Sequence, residues 1–83
     1  MPEFRAELRV RLREGVLDPA GQAVAGSLRD LGFTATSVGV GKLLLVTLDA
    51  PSREAAEGEV RRMAQEILVN PVLEDYDLEI SGG

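Results

Sequence analysis

Phe4-Arg5-Ala6-Glu7-Leu8-Arg9-Val10-Arg11-Leu12 alternates at every step, with apolar side chains at even positions and charged ones at odd positions. Period two marks a strand with one face on a core and the other face wet or paired. A sheet with one dry face needs a second layer to cover it. The flanking sequence supplies helices for that layer. Asp18 is suited to cap a helix, because its carboxylate accepts a free amide hydrogen of the first turn. Pro19 follows at the first helical position, where its missing N–H costs nothing. Ala20, Ala23, Val24, Ser27, Leu28 and Leu31 then recur at three- and four-residue spacing, which predicts a helix with one apolar face. Gly32 is placed to end it in the left-handed conformation. Gly21 and Gly26 weaken this helix by roughly 1 kcal/mol each relative to Ala, and they permit another backbone to come close.

Phe33 to Val40 is rich in Thr, Val and small residues and reads as a second strand. Gly41-Lys42 reads as a tight turn into Leu43-Leu44-Leu45-Val46-Thr47-Leu48, a run too continuous for a strand with one wet face. That run is either covered on both sides or set against another subunit. Ser52 caps a second helix whose stripe is Ala56, Val60, Met63, Ala64, Ile67 and Leu68, with Glu57 and Arg61 as an outward i,i+4 pair. Pro71 stops it near Val69-Asn70. Val72 to Ile80 is a last, acidic strand with Tyr76, Leu78 and Ile80 on one face, and Ser81 to Gly83 is expected to fray. The order strand, helix, strand, strand, helix, strand predicts an α+β, ferredoxin-like βαββαβ fold, an antiparallel sheet with two helices on one face. Residues 1–83 read as a single domain.

Eighty-three residues make a core that rarely supplies more than about 3–5 kcal/mol. Small domains offset this with disulfides, metals or partners. The chain has no Cys and no His, so neither disulfides nor the commonest transition-metal ligands are available. Association is what remains, and a dimer or tetramer is expected. The formal net charge of −5 argues against nucleic acid and against an anionic membrane surface. No run approaches the length of a membrane span, and Met1 to Arg5 lacks a signal-peptide apolar stretch. The expectation is a soluble, cytoplasmic protein, which the lack of Cys fits.

No Ser–His or Cys–His constellation is possible, so no catalytic residue is expected. Gly39-Val40-Gly41-Lys42 lacks the spacing of a phosphate-binding loop, so no cofactor site is expected either. Arg5, Arg9, Arg11 and Arg13 form a basic face that is either locally paired or a contact surface for an anion or a partner's carboxylates. Glu74, Asp75, Asp77 and Glu79 include ligand types for a hard cation, but alternation divides them between two faces and no metal site is expected. Lys42 is an exposed lysine or a side chain aimed into a partner. Tyr76 reads as a packing residue with a hydrogen-bonded hydroxyl. The plan lacks the stacking aromatics of an RNA-recognition sheet and the Cys pair of a copper carrier. A structural subunit and an ACT-like small-molecule regulatory module both remain open.

Three segments narrow the choice: Leu12-Arg13-Glu14-Gly15-Val16-Leu17-Asp18-Pro19-Ala20-Gly21, then Val38-Gly39-Val40-Gly41-Lys42, then Leu68-Val69-Asn70-Pro71-Val72-Leu73-Glu74-Asp75-Tyr76. In this order and spacing the chain resembles the PurS family, the small subunit of phosphoribosylformylglycinamidine synthase, from Phe4 to about Leu78. Gly39 departs from the Arg usual in that family, and Leu45 stands where relatives often carry an acid. The resemblance implies a non-catalytic assembly subunit in purine biosynthesis. In such a complex the PurQ glutaminase releases ammonia and the PurL synthetase uses ATP, Mg and glutamine-derived ammonia to amidate the ribonucleotide. The small subunit would contact both and assist ammonia transfer. Gly15, Val16, Leu17, Asp18, Pro19, Gly41, Lys42, Asn70, Pro71, Glu74, Asp75 and Tyr76 are the expected partner-contact residues. Capping and helix termination are the competing roles for Asp18-Pro19 and Asn70-Pro71.

Overall fold

The alternating stretch forms β1, Glu3–Leu12, in a computed structural model that describes Met1–Gly83. It is the middle strand of a three-stranded antiparallel sheet, flanked by β2, Lys42–Asp49, and β3, Glu74–Gly82. Leu8 stands opposite Leu44 on one side and Leu78 on the other. The even side chains Phe4, Ala6, Leu8 and Val10 are buried. Leu44, Val46 and Leu48 of β2 and Tyr76 and Leu78 of β3 pack beside them, half-buried. The alternation therefore reads correctly strand by strand, and Leu44, Val46 and Leu48 are the inward half of the apolar run.

One helix covers this face. It is α2, Arg53–Met63, whose N-cap is the Ser52 hydroxyl, accepting from the Ala55 amide at 3.1 Å. Ala56, Val60 and Ala64 are fully buried against the sheet. Small side chains at these steps let the helix lie close over β1. The helix runs on into a π-helical turn, Ala64–Leu68, closed by the Val69 amide donating to the Ala64 carbonyl at 3.0 Å. That five-residue step turns Ile67 out to solvent, 82% exposed, and brings Val69 into the core at 7%. The helical stripe of the sequence places Ile67 inside; the wider turn replaces it with Val69.

The odd face of the sheet carries an arginine–carboxylate ladder. Arg11 pairs with Asp77 at 3.0 Å, Arg13 with Asp75 at 2.9 Å and Arg9 with Glu79 at 3.3 Å, and Arg9 also meets Glu7. Arg9, Arg11 and Arg13 of the basic face are thus locally paired, and the acids divide between two faces, with Asp75, Asp77 and Glu79 on the outer one and Glu74 opposite Leu12. Exposed pairs of this kind contribute about 0–1 kcal/mol each. Leu43 and Leu45 lie on this outer face, with Leu45 73% exposed opposite Glu7.

The first helix forms as expected. It is α1, Pro19–Asp30, capped by Asp18, with Gly32 beyond it at φ +93°. Its placement differs from the expectation: α1 packs on neither the sheet nor α2. Residues 33–40 form no strand, and Gly41-Lys42 forms no turn. A two-residue hairpin turn needs positive φ, and neither Gly39 nor Gly41 has it. The chain runs directly from 33–40 into β2, so the segment never reaches a ladder and α1 stays out with it. The α+β antiparallel plan stands with its fourth strand unformed. At the other end Ser81 and Gly82 do not fray: Phe4 pairs with Gly82, and the Gly83 amide donates to Glu3. No helix is long and apolar enough to cross a membrane.

Candidate functional site

The three sequence segments singled out above meet at one end of the molecule. β1 ends there, and β2 and β3 begin there: Val10 pairs with Lys42 on one side and Tyr76 on the other. Arg13, one residue beyond β1, ties two of the segments. Its amide donates to the Leu73 carbonyl at 2.8 Å, and its guanidinium donates to the Pro71 carbonyl at 3.0 Å and pairs with Asp75. Lys42 lies 3.8 Å from Glu74 across the same pole. In the sequence Arg13 reads only as part of a basic face. Its position just after the alternation was the available signal for this bracing role.

The Asn70–Glu74 loop is closed on itself. The Asn70 side-chain oxygen accepts from the amides of Val72 at 3.0 Å and Leu73 at 3.3 Å. The Asn70 amide donates to Glu74 Oε1 at 2.8 Å, and the Asn70 carbonyl accepts from the Glu74 amide at 2.8 Å. This is turn chemistry in which the side chain stands in for a backbone acceptor. With its polar groups satisfied internally, the loop presents Pro71, Val72 and Leu73 outward, all exposed. Ile67 adds a further exposed apolar side chain from the preceding π-turn. Tyr76 is half-buried, and its hydroxyl accepts from Arg61 at 3.4 Å. Arg61 in turn pairs with Glu57 at 2.9 Å, the outward pair that their spacing predicts.

The Gly15–Pro19 segment reaches the second segment through Asp18. Its carboxylate accepts from the Gly21 amide at 2.8 Å and from the Val40 amide at 2.9 Å. The Val40 bond, then the Gly21 bond, hold this carboxyl below the usual aspartate range. Asp77 is lowered as well, by the Arg11 guanidinium. Asp18 is therefore both a helix cap and a brace on the approach to Gly41. Gly41 itself lies against the Val10 carbonyl, where a side chain has no room. Gly21 is similarly close to the Val38 carbonyl of its own chain, while Gly26 faces open space. Gly15 turns the chain at φ +85°, and Leu17 is exposed beside it.

The pole has the properties of a contact surface: fixed loops, exposed apolar side chains and a rim of paired charges. Arg13 pairs there with Asp75, Lys42 lies near Glu74, and the Asp18 carboxylate is held by backbone amides.

The model of the family described as PurS: Phosphoribosylformylglycinamidine (FGAM) synthase matches residues 5–82. A phosphoribosylformylglycinamidine synthase subunit PurS from Methanothermobacter thermautotrophicus is 37% identical over 79 residues, covering 95% of this chain and 94% of that one. One from Synechocystis is 39% identical, covering 94% of this chain and 79% of the relative. Among solved structures, PurS of Thermus thermophilus superposes with a TM-score of 0.83 at 41% identity, covering 96% of both chains. A chain in the structure of PurLQS from Thermotoga maritima superposes with a TM-score of 0.89 at 32% identity, covering 98% of this chain and all of that one.

Proposed function

The chain belongs to the PurS family, and on that premise we infer that it serves as a non-catalytic assembly subunit of phosphoribosylformylglycinamidine synthase in purine biosynthesis. The observation that carries this reading is the family match across residues 5–82, together with the near-complete superposition on a chain of the PurLQS structure. The chain stands with a PurL synthetase and a PurQ glutaminase, associates with a second copy of itself, and works in the cytoplasm. It binds no cofactor of its own; ATP, Mg and glutamine are used by the larger subunits.

The chemistry supports this division of labour. A chain without His or Cys is poorly equipped to release ammonia from glutamine. A braced surface is well suited to hold two active sites in register. Ammonia that escapes to bulk water is diluted and protonated, so fixing donor and acceptor sites near one another raises its effective concentration at the acceptor. The pole formed by Gly15–Pro19, Gly41-Lys42 and Asn70–Tyr76 is the surface assigned to the larger subunits.

Co-purification tests the reading. The tagged chain should retain PurL and PurQ from the same organism in the presence of glutamine and ADP–Mg²⁺, and alone it should turn over neither glutamine nor ATP. Failure to retain either subunit under those conditions would overturn the assembly role. Val72→Asp should abolish retention while leaving the free chain folded, because Val72 is exposed on a loop whose hydrogen bonds it does not make with its side chain. Unchanged retention would remove the pole from the interface.

A further inference from the structure

On the reading that the pole meets the larger subunits, we propose that Arg13 is a positioning residue for that contact. Its guanidinium sets the tip Pro71-Val72-Leu73 at a fixed angle. The tip and the Gly15–Pro19 segment then meet a larger subunit as one rigid surface.

The apolar core does not hold the tip. Val72 is 77% exposed and Leu73 43%, and neither packs against the core cluster. Pro71 and Glu74 share a cleft of about 170 Å³ with Ala64, Gln65 and Val69 at the end of α2, so the loop does not close against that helix end. The Asn70 bonds close the loop on itself. They fix its shape and leave its angle to the sheet open.

Arg13 supplies what is missing. Its amide donates to the Leu73 carbonyl at 2.8 Å. One end of its guanidinium, Nη2, donates to the Pro71 carbonyl at 3.0 Å, while the other end, Nη1, pairs with Asp75 at 2.9 Å. Asp75 thereby fixes the fork, and the fork fixes Pro71. Lys42 does less from the opposite flank, standing 3.8 Å from Glu74 Oε2 while Glu74 Oε1 takes the Asn70 amide. On its other side Arg13 leads within two residues to Gly15, where the chain turns at φ +85° towards the exposed Leu17. The same residue thus relates the tip to the first segment.

Folding gains little from this arrangement. The side chains of Arg13 and Asp75 are each close to half-exposed, and exposed ion pairs add little stability. Docking gains more. A loop that wanders must be ordered when a partner binds, and a loop held beforehand avoids that cost. Arginine suits this role and lysine does not. A planar fork holds a carbonyl and a carboxylate in fixed relative geometry, whereas an ammonium on a flexible stem is a point charge.

The wild-type chain, Arg13→Ala, Arg13→Lys and Val72→Asp are each titrated at full length into PurL and PurQ from the same organism, with glutamine, ATP, Mg²⁺ and the ribonucleotide. The half-saturating concentration and the plateau rate of amidation are read. Urea midpoints and amide hydrogen exchange at Val72 and Leu73 are measured on the free chains. Arg13→Ala should raise the half-saturating concentration about tenfold, the scale of loop-ordering costs on binding, with the plateau and the urea midpoint unchanged. Exchange at Val72 and Leu73 should quicken several-fold, and Arg13→Lys should behave as Arg13→Ala does. Rescue by Arg13→Lys would make Arg13 a direct charge contact and overturn positioning. A urea midpoint that falls in both Arg13 variants would make it a residue of the fold and overturn positioning as well. Wild-type half-saturation in both Arg13 variants, with Val72→Asp inactive in assembly, overturns positioning and leaves the pole as the interface. Wild-type behaviour of Val72→Asp removes the pole from the interface, and the positioning role with it.

Discussion

Asp18 and Asp77 are single carboxylates whose charge is fixed by different partners, and the pH dependence of folding follows from both. Asp18 accepts from the Val40 and Gly21 amides, and Asp77 is held by Arg11. In each case the folded protein keeps the carboxyl ionised below its ordinary range, which is about pH 3.9 in an unfolded chain. A depressed folded value means the stabilisation is fully present above the unfolded pKa and is lost as pH falls through the folded one. Chemical denaturation across a pH series should give a flat midpoint from pH 7 to about 5 and a decline beginning near 4. Asp18→Asn should remove part of that decline; an unaltered profile would mean that its two amide bonds do not persist in solution. Among buried residues, Leu8 is fully enclosed at the centre of the sheet. Leu8→Ala should cost about 2–5 kcal/mol in urea unfolding, the range for a truncation whose cavity cannot collapse.

Elements governed by local rules could be read from the sequence, while those decided by distant partners could not. The alternation of Phe4–Leu12, the Asp18-Pro19 start, the Gly32 stop and the Ser52 cap depend on neighbours within a few residues, and each stands where the sequence places it. Residues 33–40 have strand composition, but a strand exists only with a neighbour to pair, and composition does not say which chain supplies one. The contact segments were legible one by one. Their convergence on one pole was not, because it depends on the antiparallel register of β1 with both neighbours. The end of α2 departs from its sequence pattern for a different reason. A stripe drawn at 3.6 residues per turn puts Ile67 inside, and the π-turn between Ala64 and Val69 shifts it out. The two residues should therefore respond in opposite fashion to their apparent pattern. Val69→Ala should cost about 1–2 kcal/mol through lost burial. Ile67→Ser should stay within about 0.5 kcal/mol, as exposed substitutions do. Urea unfolding of the two variants of the free chain reads the difference, and equal losses would place Ile67 in the core after all.

For the molecule as a whole, shape and stability are the same question. A chain 52 × 24 × 14 Å in extent encloses only eleven buried apolar residues, four of them alanine outside the strands. Such a core is thin for a projecting helix and an open strand edge, and a chain of 83 residues without cysteine has no disulfide to add. If the chain associates with a second copy as proposed, that association supplies part of the folding free energy and the folded state is favoured by mass action. If two chains fold as they bind, unfolding is also dissociation, and each tenfold rise in protein concentration adds about 1.4 kcal/mol to apparent stability. For a unit of two such chains this corresponds to a rise in Tm of roughly 3–6 °C per tenfold concentration. A chain that folds alone and pairs weakly afterwards shows no such slope. Thermal unfolding followed by circular dichroism from about 2 to 200 µM, a range set by typical dimer affinities, distinguishes the two. The expected outcome is a Tm that climbs steadily over both decades and a single cooperative transition. A Tm independent of concentration would show that α2 and the sheet are stable by themselves.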